Sequence, residues 1–143
     1  MAAESELKNH VIVCGYGLVG EMIVDTLLQH DVRFVVIEQE KSRVEQLRGM
    51  GVTAIQGDAT SSKVLKSAGI MRAKAIAVVM GDDAKNLFCM VTAKSLNPKI
   101  AVATRATDTF MKEKLKDAGA SFIATPNQSV SDELFAEISK GLG

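Results

Sequence analysis

The feature that most constrains this chain is the segment 15–20, Gly-Tyr-Gly-Leu-Val-Gly, which directly follows the apolar run 11–14. It opens an amphipathic pattern of helical spacing, and a second apolar run ends at Glu38, 21 residues beyond Gly17. Between a strand and a helix, the first glycine permits a tight turn and the second lets the backbone approach a pyrophosphate. The third lets helix and strand pack closely, and the acid can accept from a ribose 2′-hydroxyl. The spacing therefore predicts a binding site for an adenine nucleotide.

Short apolar runs recur along the chain, with helical patterns between them. The runs predict strands at 10–14, 33–38, 53–56, 74–80, 100–104 and 121–124, and the patterns predict helices at 18–30, 41–49, 61–68, 83–96, 107–118 and 128–141. Continuous apolar runs of strand length are typical of a parallel sheet that is covered on both faces. We therefore predict a Rossmann-like, doubly wound α/β fold whose six parallel strands lie in the order 3-2-1-4-5-6, with helices on both faces.

Composition narrows the class of protein. A chain of 143 residues with 47% hydrophobic content suits one domain with a real core. Its net charge is zero and no basic cluster stands out, which argues against nucleic acid as a partner. The apolar runs are shorter than a membrane-spanning helix requires, and residues 1–6 do not form a signal-peptide pattern. With Cys14 and Cys89 in apolar contexts typical of buried thiols, we expect a soluble domain of the cytoplasm.

Polar residues follow the predicted strands at their carboxyl ends, where ligands of such sheets bind. The candidate nucleotide-binding residues are Gly15, Tyr16, Gly17, Leu18, Val19 and Gly20 in the turn, followed by Glu38, Asp58, Ala59, Asp82, Asp83 and Arg105. The sequence places all of them at one edge of the sheet, which makes the set more informative than any single member.

Several of these candidates have two interpretations. Asp58 either orients the adenosine or caps a helix beside Thr60 and Ser61. Asp82 and Asp83 either face a second nucleoside or cap the following helix. Arg105 either neutralises phosphate through paired hydrogen bonds or forms a surface ion pair.

The acid of the second strand also bears on which nucleotide binds. Glu40 follows Glu38 closely and no arginine stands beside them in the sequence. A 2′-phosphate would meet two carboxylates there, so the sequence favours NAD(H) or an adenine mononucleotide over a phosphorylated dinucleotide.

Patterns for catalysis and for metal binding are missing from the sequence. His10 and His30 fall away from the carboxyl ends of the strands, no Cys/His group has zinc spacing, and no serine stands in a nucleophile elbow. We expect no catalytic residue, no metal site and no enzyme activity.

Further motifs make the chain resemble a known family. It is similar over residues 8–140 to an RCK domain (regulator of K⁺ conductance, TrkA-N type), through the segments 9–20, 57–60 (Gly-Asp-Ala-Thr), 65–70, 73–78, 82–86 (Asp-Asp-Ala-Lys-Asn), 115–120 and 125–126. The resemblance implies a cytoplasmic regulatory domain, attached to or associated with the cell membrane, of a potassium channel. Family ligands include NAD(H), AMP, ADP, ATP and, in some channels, calcium.

The resemblance also implies an organisation. Residues 1–8 would link to a preceding pore segment, 9–126 would form the N-terminal Rossmann lobe that binds nucleotide, and 127–143 would form a crossover and dimerisation helix, with the family's C-terminal lobe absent. Such domains pair and often assemble into an octameric gating ring below the membrane pore domain of the same or a partner chain. The alternatives are a stand-alone regulatory subunit of Trk- or Ktr-type potassium uptake, the tail of a cation/proton antiporter, or a fragment of an NAD-dependent oxidoreductase.

In one respect the chain departs from this family. Calcium-gated members have glutamates at the end of strand 5, where this chain has Ala103 and Arg105, and an acid of strand 4 near the position of Val79. Calcium takes six to eight oxygen ligands, so we expect no calcium site at the ends of strands 4 and 5.

The last predicted helix carries an apolar stripe at helical spacing, formed by Val130, Leu134, Phe135 and Ile138, with Leu142 at the next turn. The stripe either covers the edge of the sheet or meets a second subunit. Because the resemblance implies the second arrangement, we expect a homodimer through helices 107–118 and 128–141.

Overall fold

The computed structural model describes residues 7–142 and contains one parallel sheet and six α-helices. The strands are β1 Val11–Cys14, β2 Phe34–Glu38, β3 Ala54–Gln56, β4 Ala75–Val78, β5 Ala101–Arg105 and β6 Phe122–Ala124. The helices are α1 Leu18–Gln29, α2 Lys41–Gly49, α3 Ser62–Ser67, α4 Asp83–Leu96, α5 Thr109–Asp117 and α6 Pro126–Leu142, with a 3₁₀ turn at Ile70–Arg72. Strands and helices alternate from β1 to α6.

The sheet has the predicted order β3-β2-β1-β4-β5-β6, and all of its pairs are parallel. The central strand β1 pairs on one side with β2 and on the other with β4, so that Val11 lies between Phe34 and Ala75. The carboxyl ends of the strands consequently meet at one edge, and chain order reverses between β1 and β4. This confirms the predicted fold class.

Side chains of β1 alternate between two hydrophobic layers. Ile12 and Cys14 belong to the larger layer, which also contains residues of α3, α4 and α5, and Val13 belongs to the layer beneath α1 and α2. All three side chains are fully buried. Burial on both faces explains why this strand appears in the sequence as a continuous apolar run.

The predicted helix and strand ends differ from the observed ends in ways that have local causes. The helix predicted at 107–118 begins at Thr109, because the carboxylate of Asp108 caps it by accepting from the Met111 N–H. The helix predicted at 128–141 begins two residues earlier, where Pro126 fits the first helical position. The strand predicted at 74–80 ends at Val78, since the backbone of Met80 bonds to the Asn86 side chain instead of a neighbouring strand.

Residues 7–10 precede β1 and lie at the edge of the sheet opposite the glycine turn. Leu7 is buried, Asn9 has a positive φ of 53°, and its N–H donates to Arg72 O. His10 precedes β1, and its fully buried ring bonds through Nε2 to Ala68 O at 2.8 Å. A carbonyl only accepts, so Nε2 carries the hydrogen. The other part of the predicted linker, residues 1–6, lies outside the described residues.

The last helix stands apart from the core. None of its residues is buried, and Val130, Leu134, Phe135 and Ile138 are each more than half exposed. The interpretation in which this stripe covers the edge of the sheet is therefore wrong for the single chain. Among residues 7–142, no helix combines the length and the apolar character needed to cross a lipid bilayer.

Candidate functional site

The glycine turn between β1 and α1 has a different geometry at each of its three glycines. Gly15 has φ +105°, a conformation that side chains with a Cβ rarely adopt. A Cβ on Gly20 would stand 2.0 Å from Gly15 O, so this position must lack one for α1 to lie against the turn. A Cβ on Gly17 would instead meet only one atom within 4 Å, a nitrogen of Arg43 at 3.7 Å. Two glycines thus serve the fold, and the third keeps space open in front of the turn.

The first turn of α1 faces that open space. Its N-cap is Gly17, which has no side chain to accept from the free N–H groups of the helix start. Such N–H groups, together with the helix dipole, form a ready site for an anion. The local structure therefore suits a phosphate in front of residues 17–20.

Glu38, at the end of β2, is held rigidly beside the turn. Its Oε1 accepts from the Tyr16 N–H at 2.9 Å and its Oε2 accepts from the Glu40 N–H at 2.7 Å, and the residue is 8% exposed. An ionised carboxylate has about four lone-pair positions, so each oxygen still has room to accept from a hydroxyl. The predicted ribose acceptor is thus oriented before any ligand arrives.

Together these elements form a cleft of about 330 Å³ at the carboxyl edge of the sheet, where β1 and β4 meet. This volume lies within the range of small-molecule sites. Its charged lining residues are Glu38, Arg43, Asp82, Lys85 and Arg105. Of the residues predicted from sequence, the cleft is lined by Gly15, Tyr16, Gly17, Leu18, Val19, Glu38, Ala59, Asp82 and Arg105.

The remaining predicted residues lie outside this lining. Gly20 packs against Gly15. Asp58 closes a local turn, because one oxygen accepts from the N–H and the hydroxyl of Thr60, and these bonds lower the pKa of Asp58. Helix α3 is capped by Ser61, so the interpretation of Asp58 as a helix cap is wrong. Asp83 accepts from the N–H and the hydroxyl of Thr107, which ties the start of α4 to the loop after β5.

The structure distinguishes between the interpretations that the sequence leaves open for Asp82 and Arg105. Asp82 caps α4 by accepting from the Lys85 N–H at 3.1 Å, and it also lines the cleft. Arg105 lies in the cleft wall, and within residues 7–142 it has no carboxylate close enough for an ion pair. The surface ion-pair interpretation of Arg105 is therefore not supported, and its guanidinium remains available to a ligand.

Two cations of the cleft were missing from the sequence prediction. Arg43 and Lys85 lie in the first turns of α2 and α4, three residues after the N-caps Glu40 and Asp82. The assumption that no arginine stands beside Glu38 is wrong, because Arg43 Nε lies 3.1 Å from Glu40 Oε2 and Nη1 lies 3.9 Å from Glu38 Oε1. A position three residues into a helix that starts at the ligand edge is the signal that could have indicated both.

The loop after β4 is shaped by a buried side chain. Asn86 accepts from the Met80 N–H at 2.9 Å and donates to Met80 O at 3.0 Å, and it is fully buried. Met80, Gly81 and Asp82 line the cleft beside the glycine turn. Asn86 thus fixes the wall that the loop between β4 and α4 contributes.

Two cysteines lie beneath the turn. Cys14 and Cys89 are both free and fully buried, as predicted, and their sulfur atoms are 3.7 Å apart. The hydrogen bond with Cys89 and the burial both raise the pKa of the Cys14 thiol well above its ordinary value. These thiols pack β1 against α4.

A glycine turn, an oriented acid and this strand order are shared by several nucleotide-binding families, and comparison with known proteins distinguishes among them. Residues 11–126 match the TrkA-N domain family. This chain belongs to that family. The match spans every strand of the sheet and confirms the resemblance to an RCK domain.

Relatives of this TrkA-N domain include potassium channel and potassium transport proteins. Potassium channel protein 1 of Methanocaldococcus jannaschii is 36% identical over 123 residues, which cover 85% of this chain and 37% of that protein. A Trk system potassium uptake protein TrkA homolog of Pyrococcus abyssi is 33% identical over 135 residues, which cover 88% of this chain and 58% of that protein. The chain thus spans roughly two fifths to three fifths of the length of these two relatives.

Solved structures agree with the fold of the TrkA-N domain. The TrkA-N domain of the inner membrane protein ybaL from Escherichia coli superposes with a TM-score of 0.88 at 26% identity, covering 92% of this chain and 97% of that one. Two more distant neighbours show the fold alone. The GsuK channel bound to NAD has a TM-score of 0.76 at 20% identity, covering 83% of this chain and 22% of that one. The Shewanella denitrificans Kef CTD in AMP bound form has a TM-score of 0.80 at 21% identity, covering 94% of this chain and 82% of that one.

Proposed function

We propose that this TrkA-N domain senses an adenine nucleotide, either NAD(H) or one of AMP, ADP and ATP, and thereby regulates potassium conductance. The observation that carries the proposal is the cleft, where the uncapped start of α1 faces open space beside a carboxylate already oriented by two backbone N–H groups. Support also comes from fold neighbours that were solved with NAD and with AMP.

In the proposed complex the adenosine lies on the β2 side of the cleft and the phosphates lie over the glycine turn. The ribose hydroxyls donate to the free lone pairs of Glu38, and the N–H groups of residues 18–20 donate to phosphate. Asp82 and Arg105 contact the distal part of the ligand, and Ala59 lines the adenosine side. Asp58 and Asp83 act indirectly, through the loops that they hold.

The proposed regulation requires a membrane pore. We propose a cytoplasmic domain, attached to or associated with the cell membrane, that forms a homodimer through α5 and α6 and an octameric gating ring in the complete protein. The exposed apolar stripe of α6 supports the dimer, because monomers seldom expose several large apolar side chains together. Nucleotide binding would alter conductance by favouring one arrangement of the ring, which requires different affinities for the two arrangements.

The homologue from the Trk uptake system supports a second possibility, a regulatory subunit that binds a separate transporter. The gene sequence that precedes residue 1 distinguishes the two. Pore helices with a selectivity filter there support the channel, and an independent start codon supports the separate subunit. Neither possibility makes the domain an enzyme.

Calorimetry with the 143-residue chain tests nucleotide sensing. We expect NAD(H), AMP, ADP or ATP to bind, and NADP(H) to bind more weakly, because a 2′-phosphate has no hydrogen to donate to Glu38 and adds negative charge beside it. Gly17→Val is expected to abolish binding and to retain the fold, since its side chain would enter the open cleft. If none of these nucleotides binds the wild-type chain, the proposal is wrong.

A further inference from the structure

The guanidinium of Arg43 lies in front of the glycine turn. Its Nη1 stands 3.7 Å from the point that a Cβ on Gly17 would occupy, and no other heavy atom of residues 7–142 outside the immediate chain neighbours comes within 4 Å of that point. This is the place at which the missing side chain lets a phosphate approach the backbone. A positive charge therefore already borders the space that the proposed function assigns to phosphate.

The ion pairs of this guanidinium leave one of its sides free. Arg43 Nε lies 3.1 Å from Glu40 Oε2, whereas Nη1 lies 3.9 Å from Glu38 Oε1, which is too far for a hydrogen bond. Within the described part of the chain, neither Nη atom has a hydrogen-bond partner. Arginine can bind phosphate through two parallel N–H donors, and here two nitrogens at the end of the fork remain unused.

The two neighbouring carboxylates differ in how firmly they are held. Glu38 is 8% exposed and both of its oxygens accept backbone hydrogen bonds. The side chain of Glu40 is 57% exposed, and among residues 7–142 it forms an ion pair with Arg43 and accepts a hydrogen bond from the Ser42 hydroxyl. An exposed carboxylate forms a weak ion pair, which a more highly charged phosphate can replace.

We propose that Arg43 is a phosphate-binding residue of the nucleotide site, and that Glu40 holds its guanidinium at the glycine turn until phosphate takes the place of that carboxylate. The inference rests on the proposed function. It also limits the ligand class, because affinity then depends on a phosphate beside the adenosine as well as on the contacts of the nucleoside with Glu38.

Calorimetric titration of ADP into the 143-residue chain tests this assignment. Arg43→Met is expected to weaken ADP binding by about ten-fold or more, the effect of losing a hydrogen bond to a charged group. The matched control is Lys41→Met, which removes the same charge from an exposed position of the same helix outside the cleft lining and is expected to change affinity by less than about three-fold. Arg43→Lys keeps the charge without the fork and should fall between the two.

Glu40→Gln supplies the decisive comparison. If Glu40 competes with phosphate, this variant binds ADP as tightly as the wild type or more tightly, whereas a Glu40 that merely positions Arg43 would make it weaker. Competition of millimolar adenosine with ADP gives the affinity of each chain for the nucleoside. This affinity should be the same in wild type and Arg43→Met, because adenosine carries no phosphate. The assignment is overturned if Arg43→Met loses no more affinity than Lys41→Met, if Glu40→Gln weakens binding as Arg43→Met does, or if Arg43→Met lowers the affinity for adenosine. Failure of every nucleotide to bind the wild type would instead remove the proposed function.

Discussion

Helices α4 and α6 both have apolar residues at helical spacing, but only α4 buries its apolar face. Helix α4 buries Cys89, Met90 and Ala93 against the sheet, whereas α6 buries no residue at all. The difference shows that periodicity identifies a helix and its apolar face, but not the surface that covers this face.

The reason lies in the position of each helix in the topology. Helix α4 connects β4 to β5, two neighbouring strands in the inner part of the sheet, so it must cross over their surface. Helix α6 follows β6, an edge strand of three residues with Phe122 exposed, and within residues 7–142 no later strand draws it back across the sheet. We call residues 10–105 the inner region and β6 with α6 the outer region. The apolar surfaces of the inner region are covered by its own helices, whereas the outer region leaves the apolar face of α6 exposed.

The largest expected difference in stability effect between the two regions comes from adding one methyl group to a glycine. Gly20→Ala places a Cβ 2.0 Å from Gly15 O, so α1 or the turn must shift, and we expect a loss of at least about 3 kcal/mol in the free energy of unfolding. Gly141→Ala, in α6, meets nothing within 4 Å and is expected to leave stability unchanged or to raise it by up to about 1 kcal/mol. Urea unfolding of both variants measures the contrast, and equal midpoints would contradict it.

A smaller contrast comes from removing apolar side chains. Met90→Ala leaves a cavity in the hydrophobic core of the inner region and should lower the free energy of unfolding by about 2–5 kcal/mol. Phe135→Ala should change the stability of the monomer by less than about 0.5 kcal/mol, because this ring is 63% exposed.

Light scattering tests whether the apolar stripe of α6 mediates self-association. We expect the wild-type chain to be a dimer at tens of micromolar, and Phe135→Asp to be a monomer with an unchanged thermal midpoint under dilute conditions. A wild-type monomer, or a Phe135→Asp chain that still dimerises, would contradict the proposed interface.

The smallest expected effect is a pH dependence confined to the inner region. Burial lowers the pKa of His10 below its usual value of about 6.5, and Arg72 and Arg33 lower it further, although the hydrogen bond to Ala68 opposes them. The unfolded chain therefore binds a proton at a pH where the folded chain does not. The stability contributed by neutral His10 is complete above the unfolded pKa and is lost as the pH falls through the lower folded-state pKa. Because only one proton is involved, the slope cannot exceed about 1.4 kcal/mol per pH unit.

Unfolding measured as a function of pH, in wild type and in His10→Leu, checks this effect. The variant should lose the part of the slope that begins near pH 6.5 and keep the acid dependence that carboxylates produce at lower pH. Identical slopes in the two chains would show that His10 does not titrate on unfolding.

Much of the inner region could be predicted because its determinants are local in the sequence. The tight turn at Gly15, the close approach at Gly20 and the acid at Glu38 each depend on residue type at a fixed spacing, and β1 needed only a continuous apolar run. The strand order followed from the alternation of strands and helices. These features do not depend on side chains that arrive from distant segments.

Other parts of the site could not be predicted because they depend on contacts between separate segments. Arg43 reaches the glycine turn only because α2 begins at the same edge of the sheet as α1. Asp83 bonds to Thr107, which is 24 residues away, and no spacing rule connects the two. The role of Asp58 was undecided between ligand and cap, and Thr60 rather than a helix end proved to be its partner.

The pairing of β1 with β4 has a consequence for the order in which the protein folds. Val11 pairs with Phe34, 23 residues later, but also with Ala75, 64 residues later. Closing the longer loop costs more chain entropy, and sheets built from such distant pairs form slowly, so we expect the β1–β2–β3 half to collapse before it meets β4. Because the cleft spans that seam, neither half contains the complete cleft alone. If a nucleotide binds as proposed, it would therefore reach its full stabilising effect only after the two halves have joined.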